Sequence, residues 1–251
     1  MERNLLFTIE YDGSEFHGWQ RQPDQPTVQG TIEKVLGKLF RQPVEIDGTS
    51  RTDAGVHAMG QRATYAGEFG IPTDRILFAA NNMLPGSIHI SKVEEVPAGF
   101  HARFDAVGKT YRYVIHNTPH RNVFERNYCW YVEQALDVEA MKSAAARFVG
   151  THDFKSCQAT GGPEKQTTVR TLSALDINQD GYKITIDVTG DGFLYNMVRI
   201  IVGTLMEVGL GRIKPDRISE ILESKDRSRA GRTAPAQGLY LVQVYYERKD
   251  L

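Results

Sequence analysis

The sequence predicts an α+β fold made of two similar halves, residues 1–105 and 106–251, each a sandwich of helices on a mostly antiparallel sheet. Three observations lead there. Period-two runs such as Ile184, Ile186 and Val188, set against Thr185 and Asp187, recur along the chain as strands. Stretches with apolar residues at helical spacing, such as Val28, Ile32, Val35, Leu36 and Leu39, fall between them. The order strand, helix, strand, strand, helix, strand in the first half is roughly repeated from Tyr111 onward, without obvious sequence repetition.

Leu5 to Tyr11 reads as the first strand, ended by an Asp12-Gly13 turn. A loop of aromatic and polar residues, Phe16 to Gln22, follows it, and Thr27 stands where it would cap a core-facing helix. Strand-like runs at Val44 to Ile46 and Gln61 to Phe69 flank the segment Gly48-Thr49-Ser50-Arg51-Thr52-Asp53-Ala54-Gly55-Val56-His57-Ala58. Thr73 to Leu84 reads as a helix, capped at Thr73-Asp74 and stopped by Pro85-Gly86, and Ile88 to Val96 alternates again.

In the second half, Lys109 to Asn117 alternates, with Tyr111, Tyr113 and Ile115 on one face and Arg112, Val114 and His116 on the other. Asp137 caps a helix running to Val149, with Gly150 as its stop. Thr160 to Thr168 reads as a mobile loop, and Asn178-Gln179-Asp180-Gly181 joins the runs Leu172 to Ile177 and Tyr182 to Val188 as a hairpin. Phe193 to Gly209 is the most amphipathic stretch, striped by Leu194, Met197, Val198, Ile201, Val202, Leu205 and Met206. Arg199 lies off that stripe with Asn196 and Gly203, and a glycine there leaves room for a close approach. A helix at Pro215 to Ser224, a basic loop at Lys225 to Arg232 and a strand at Gly238 to Tyr246 complete the chain.

Hydrophobic content of 41% and charged content of 24% are those of an ordinary globular protein, and no apolar run reaches membrane length. Met1 to Asn4 lead directly into strand-like sequence without a signal-peptide layout, so the expected location is the cytoplasm. Cys129 and Cys157 are the two cysteines; they form no Cys-x-x-Cys pair and cluster with no histidine, so both are expected to be small buried residues and no metal site is expected. A net charge of −1 gives no global pull toward nucleic acid, so any RNA-binding charge must be concentrated locally. Arg103, Lys109, Arg112, Arg121 and Arg126, interleaved with Phe100, Phe104 and Tyr111, are such a concentration.

The segment from Gly48 to Ala58 gathers a carboxylate, a guanidinium and an imidazole among turn-forming residues, which is how a reactive Asp53 would be presented. Asp-Ala-Gly is also what a plain turn or helix cap contains. The whole run resembles the active-site motif of the TruA family of tRNA pseudouridine synthases, Gly/Ser-Arg-Thr-Asp-Ala-Gly-Val-His-Ala, with Ser50 where glycine is common. Tyr11 to Gln20, Tyr-Asp-Gly-x-x-Phe-x-Gly-Trp-Gln, is similar to the family's N-terminal motif. The Tyr111 strand, Met197-Val198-Arg199 and Gly238-Leu239-Tyr240-Leu241 resemble its later motifs, in family order.

That resemblance implies catalytic roles for Asp53, Tyr111 and Arg199. It implies substrate-binding roles for Arg51, Arg103, Lys109, Gln20 and an active-site leucine, Leu239 or Leu241. It further implies two ferredoxin-like halves of RNA-recognition type with the active site in a cleft between them, isomerisation of uridine at tRNA positions 38, 39 and 40 without a cofactor, and a homodimer gripping the anticodon arm of tRNA. Arg199 would keep Asp53 ionised, and Tyr111 would stack on the flipped base. His57 reads as structural, because no serine or cysteine nucleophile motif accompanies it. Two other readings compete: a non-catalytic RNA-binding module, and a glycoside or nucleoside hydrolase pairing Asp53 with Glu68 or Asp105.

Overall fold

The computed structural model describes residues 2–162 and 166–247. In chain order the elements are β1 (Glu2–Tyr11), α1 (Val28–Phe40), β2 (Asp47–Gly48), β3 (His57–Glu68), α2 (Thr73–Met83), β4 (Ile88–Val96) and β5 (Gly108–Asn117). They continue as β6 (Trp130–Val132), α3 (Val138–Ala145), β7 (Gly150–Asp153), β8 (Val169–Asp180), β9 (Lys183–Gly190), α4 (Met197–Gly209), α5 (Arg217–Ser224) and β10 (Leu239–Tyr245). The result is a mixed α/β chain with mostly antiparallel strand pairing, as the alternation predicted. Among the described residues, no helix is long and apolar enough to cross a membrane. The described residues divide into two compact units: residues 2–107 together with 240–247, and residues 108–239.

In the first unit β1 is central. It runs antiparallel to β3, with Leu5 opposite Tyr65, and to β4, with Leu5 opposite Glu95. Leu5, Phe7 and Ile9 share one face of it and are fully buried, as are Ile32 and Leu36 of α1 and Ile76 and Ala80 of α2. Each of the larger side chains contributes about 1.5–3 kcal/mol by leaving water. α2 lies against both β4 and α1. β10 joins the edge of β3 in parallel, Tyr240 opposite His57 and Leu241 opposite Ala58. That pairing is why residues 240–247 belong with the first unit, although sequence order placed them in the second half.

Two expectations in this unit need correction. Val44 to Ile46 is not a strand, and only Asp47–Gly48 pairs with β3. Side chains of α1 take the backbone groups that a neighbouring strand would have used: Ile46 N donates to Glu33 Oε1 at 3.0 Å, and Gln29 Nε2 donates to Ile46 O at 2.9 Å. The start of α2 also differs, since Pro72 occupies the cap position and no side chain caps the helix. Thr27 caps α1 as expected, its Oγ1 accepting from Gly30 N at 3.3 Å.

In the second unit β9 runs antiparallel to β5 on one side and to β8 on the other, and β7 continues from β8. β6 pairs in parallel with the end of β5, Ile115 opposite Trp130. Tyr113, Ile115, Ile184, Ile186 and Val188 are fully buried there. The β8–β9 hairpin is tighter than predicted: Asp180 pairs with Lys183, leaving only Gly181-Tyr182 in the turn, with Gly181 at φ +56°. α4 begins at Met197 and not at Phe193, because Asn196 adopts a left-handed backbone, φ +58°, that no right-handed helix includes. α3 is capped by Asp137 as expected but ends at Ala145, four residues before Val149. Of the predicted loop Thr160 to Thr168, residues 163–165 lie outside the described residues. Cys129 and Cys157 are buried and free, and burial pushes the Cys157 thiol up to about 12.

Candidate active site

The carboxylate of Asp53 is presented by a turn. Val56 N donates to Asp53 O at 3.1 Å, which makes Asp53 the first of four turn residues, and the third, Gly55, has φ +77°. A positive φ at that position is what a type II turn asks of glycine. The residues before the turn are anchored one after another. Thr49 N donates to Arg62 O at 2.8 Å; Gln61, fully buried, accepts from Ser50 N and donates to Ser50 O at 2.6 Å; Thr52 Oγ1 lies 2.7 Å from Tyr11 Oη. Thr49, Ser50 and Thr52 are buried, while Arg51 projects to the surface and Asp53 is half-buried. The loop therefore alternates anchored and presented side chains.

Glycines of the preceding loops give this segment its space. A Cβ on Gly18, where φ is +87°, would lie 2.5 Å from Thr52 O and 3.1 Å from the carbonyl carbon of Asp53. A Cβ on Gly13 would lie 2.0 Å from Val56 O, and one on Gly48 would enter the ring of Trp19, itself 1% exposed. Trp19 N donates to Thr52 O at 3.0 Å, so the Gly18-Trp19 loop is laid directly against the Asp53 loop. Its contacts make that loop a brace for the Asp53 segment. Gln20 is engaged in the same brace, donating to Gln29 Oε1 at 2.8 Å. His57 is buried, accepts from Gly13 N at 3.1 Å through Nδ1, lies 3.2 Å from Asp12 Oδ1 and stacks on Tyr240 at 4.7 Å. It fixes the exit of the loop into β3.

Arg103 belongs to the same unit and is exposed, its guanidinium 5.7 Å from the ring of Phe104. Neither carboxylate proposed as a hydrolytic partner fits that role well. Glu68 is eleven residues beyond His57 in one strand, roughly 36 Å at ~3.3 Å per residue. Asp105 Oδ2 accepts from His101 N at 2.7 Å and is thereby engaged in its own loop.

The other candidates are in the second unit. Tyr111 is 8% exposed on β5, with its ring edge-on to Phe193 at 5.1 Å. Tyr113 on the same face is fully buried, donates to Pro235 O at 2.7 Å and lies where a Cβ on Gly238 would strike it, and burial pushes its hydroxyl far above the ordinary tyrosine range. That is a packing role, which separates the two tyrosines. Lys109, the second residue of β5, is half-buried, and Leu239, the first of β10, is buried. Arg112 is tied by two 2.7 Å bonds to the carboxylate of Asp187, a bidentate pair that takes it out of the local positive charge.

Arg199 lies in the first turn of α4. Its Nε donates to Ala234 O at 2.7 Å, Nη1 donates to Asn196 Oδ1 at 2.8 Å, and its own carbonyl accepts from Ala234 N at 3.0 Å. The close approach that Gly203 permits is by this same segment: a Cβ there would lie 1.7 Å from Arg232 O, and Gly231 N donates to Thr204 Oγ1 at 2.9 Å. Residues 231–234 are thus a strap across α4 that orients the guanidinium. Sequence reasoning missed Gly231, Ala234, Gln61 and Gly18 as parts of this machinery; the glycines themselves were the available signal.

The sequence matches the tRNA pseudouridine synthase family over residues 8–105 and 144–247. Asp53 and Arg199 fall inside those segments, and Tyr111 falls between them. The tRNA pseudouridine synthase A of Acetivibrio thermocellus is 50% identical over 97% of this chain and 100% of its own length. Proteins of the same name from Ruminiclostridium cellulolyticum and a Thermoanaerobacter species are 49% and 45% identical, each with 97% of this chain and 100% of its own length covered.

Proposed function

The chain belongs to the tRNA pseudouridine synthase family, and from that premise we infer that it isomerises uridine to pseudouridine in tRNA. The reaction breaks the bond from ribose C1′ to uracil N1, turns the base and joins C1′ to C5, from which a proton is lost to water. It calls for a group that adds covalently and later leaves. Asp53 is that group in our reading, and the observation that carries the assignment is its position at the head of an anchored turn, half-buried and braced by the Gly18-Trp19 loop.

Arg199 is the counter-charge that favours the ionised carboxylate. Its support is the strap that fixes the guanidinium in one orientation. Tyr111 stacks on the flipped uracil and assists loss of the C5 proton. Arg51, Arg103, Lys109 and Gln20 handle the RNA, with Gln20 acting through the brace, and Leu239 packs against the base. Two ferredoxin-like halves are part of the same proposal. We further assign the anticodon arm as substrate, at tRNA positions 38, 39 and 40, with a homodimer as the acting form, no cofactor and a cytoplasmic location.

The test uses tRNA carrying tritium at uridine C5. Wild type is expected to release tritium to water with no added cofactor, and Asp53→Ala to bind the tRNA and release none. Release by Asp53→Ala at the wild-type rate would remove Asp53 from the mechanism. Binding without release by either protein would favour a non-catalytic RNA-binding module.

A further inference from the structure

Within the second unit, at the end of β5 remote from Tyr111, the structure holds a pocket of about 280 Å³ that the assigned mechanism does not use. His116 and Tyr111 are five residues apart on β5, roughly 17 Å at ~3.3 Å per residue. The pocket walls are aromatic and cationic. Trp130 and Tyr131 of β6 line it with His116, Arg121, Arg126 and Gln237. The Arg121 guanidinium lies 5.7 Å from the Tyr131 ring, and Arg232 lies 4.7 Å from Trp130.

The charge here is mostly positive. Arg121, Arg126 and Arg232 surround the aromatics, and Lys183 is the β9 partner of His116. Glu125 is the opposing carboxylate, and it is turned onto its own loop, accepting from Asn122 Nδ2 at 2.7 Å and lying 3.4 Å from His116 Nδ1. Phe124, between the lining residues Asn122 and Arg126, is 84% exposed. Aromatic walls, guanidinium planes and a surplus of cations are together what an unstacked base and its phosphate need, with Trp130, 7% exposed, forming the floor and Phe124 the exposed rim. An acidic peptide would use the cations and leave the aromatic walls without a partner. The volume suits a single nucleotide and falls just short of the ordinary range for drug-sized ligands, about 300–1,000 Å³.

We propose that this pocket is a second RNA subsite, which takes one unpaired nucleotide of the substrate with its base against Trp130 and Tyr131 and its phosphate on Arg121 and Arg126. The proposal rests on tRNA being the substrate, and it adds a point of grip that does no chemistry.

Pentaadenylate is the probe, since it holds no uridine to isomerise. It is expected to quench tryptophan emission in the wild type, and Trp130→Phe is expected to abolish the quench. Arg121→Glu changes an exposed side chain and so spares the fold. It is expected to weaken pentaadenylate binding about five-fold or more, because a charge-assisted contact to the phosphate is replaced by a repelling carboxylate. It also flattens the salt dependence of binding, by about 0.7 in slope for each phosphate no longer neutralised. With tRNA, the same variant raises KM by a similar factor while kcat stays within about two-fold, a change of uniform binding. Unaltered pentaadenylate binding by Arg121→Glu, or a quench that survives Trp130→Phe, would overturn the subsite. Equal binding of oligoglutamate would assign the pocket to acidic peptides instead. Pentaadenylate binding at this site without tritium release from tRNA would sink the isomerase reading and leave the nucleotide pocket standing, whereas release with no binding here does the reverse.

Discussion

Replacing Gly203 by alanine tests how the Arg199 guanidinium is held. The added Cβ would lie 1.7 Å from Arg232 O and 2.9 Å from its carbonyl carbon, both backbone atoms, so no rotamer change relieves the clash. An ordinary contact needs the strap moved by about 1.5 Å or more. That movement breaks Gly231 N to Thr204 Oγ1, Ala234 N to Arg199 O and Arg199 Nε to Ala234 O. Two neutral bonds at about 1 kcal/mol each and one charged bond at about 2 kcal/mol sum to about 4 kcal/mol, offset by about 1 kcal/mol that alanine gains over glycine in a helix. The expected net loss is about 3 kcal/mol. At about 3 °C per kcal/mol for a chain of this size, the melting temperature falls by about 9 °C. A guanidinium displaced by about 1 Å lowers kcat about 100-fold. Calorimetry and single-turnover tritium release below the melting transition read the two effects separately. If Gly203→Ala melts higher, as helix propensity alone dictates, and turns over within two-fold of wild type, the strap does not position Arg199.

Gly18→Ala, at φ +87° and with its Cβ 2.5 Å from Thr52 O, pushes the Asp53 turn out of place; kcat is expected to fall about 100-fold, with tRNA affinity much less changed in a filter-binding assay. Tyr113→Phe leaves Pro235 O without its donor and is expected to cost about 1–2 kcal/mol in a urea titration while chemistry persists, whereas Tyr111→Phe is expected to abolish tritium release with little loss of stability. Burial lowers the pKa of His116 against the partial opposition of Glu125, so the folded state holds this ring neutral more strongly than the unfolded chain does. Its contribution is therefore complete above the ordinary histidine pKa and is lost as pH falls through the lowered folded value. Melting temperatures recorded from pH 7.5 down to 5 should decline in the wild type, and His116→Gln should flatten that decline.

The sequence alone was enough for the alternation that makes β1, β4, β5, β8 and β9 strands, for the Thr27 and Asp137 caps, and for the apolar stripe of α4. These are short-range properties, set by side-chain periodicity and by hydrogen bonds reaching three residues. It also marked Asp53, Tyr111 and Arg199 through the resemblance of their segments to family motifs. What lay out of reach depended on partners distant in the chain. Val44 to Ile46 has strand-like residues, yet Glu33 and Gln29 of α1 take its backbone groups. Residues 240–247 fold with the first unit because β3 offers them an edge, and no local pattern records which edge a strand will join. Gly203 announced a close approach, but only tertiary structure identified what approaches, the strap that holds Arg199 by its carbonyls. Arg112 and Arg121 look alike in sequence, and folding put Asp187 across from one and left the other against an open aromatic pocket. Periodicity is written locally in the chain; the pairing of a charge, and with it what that charge is available to bind, is a property of the fold.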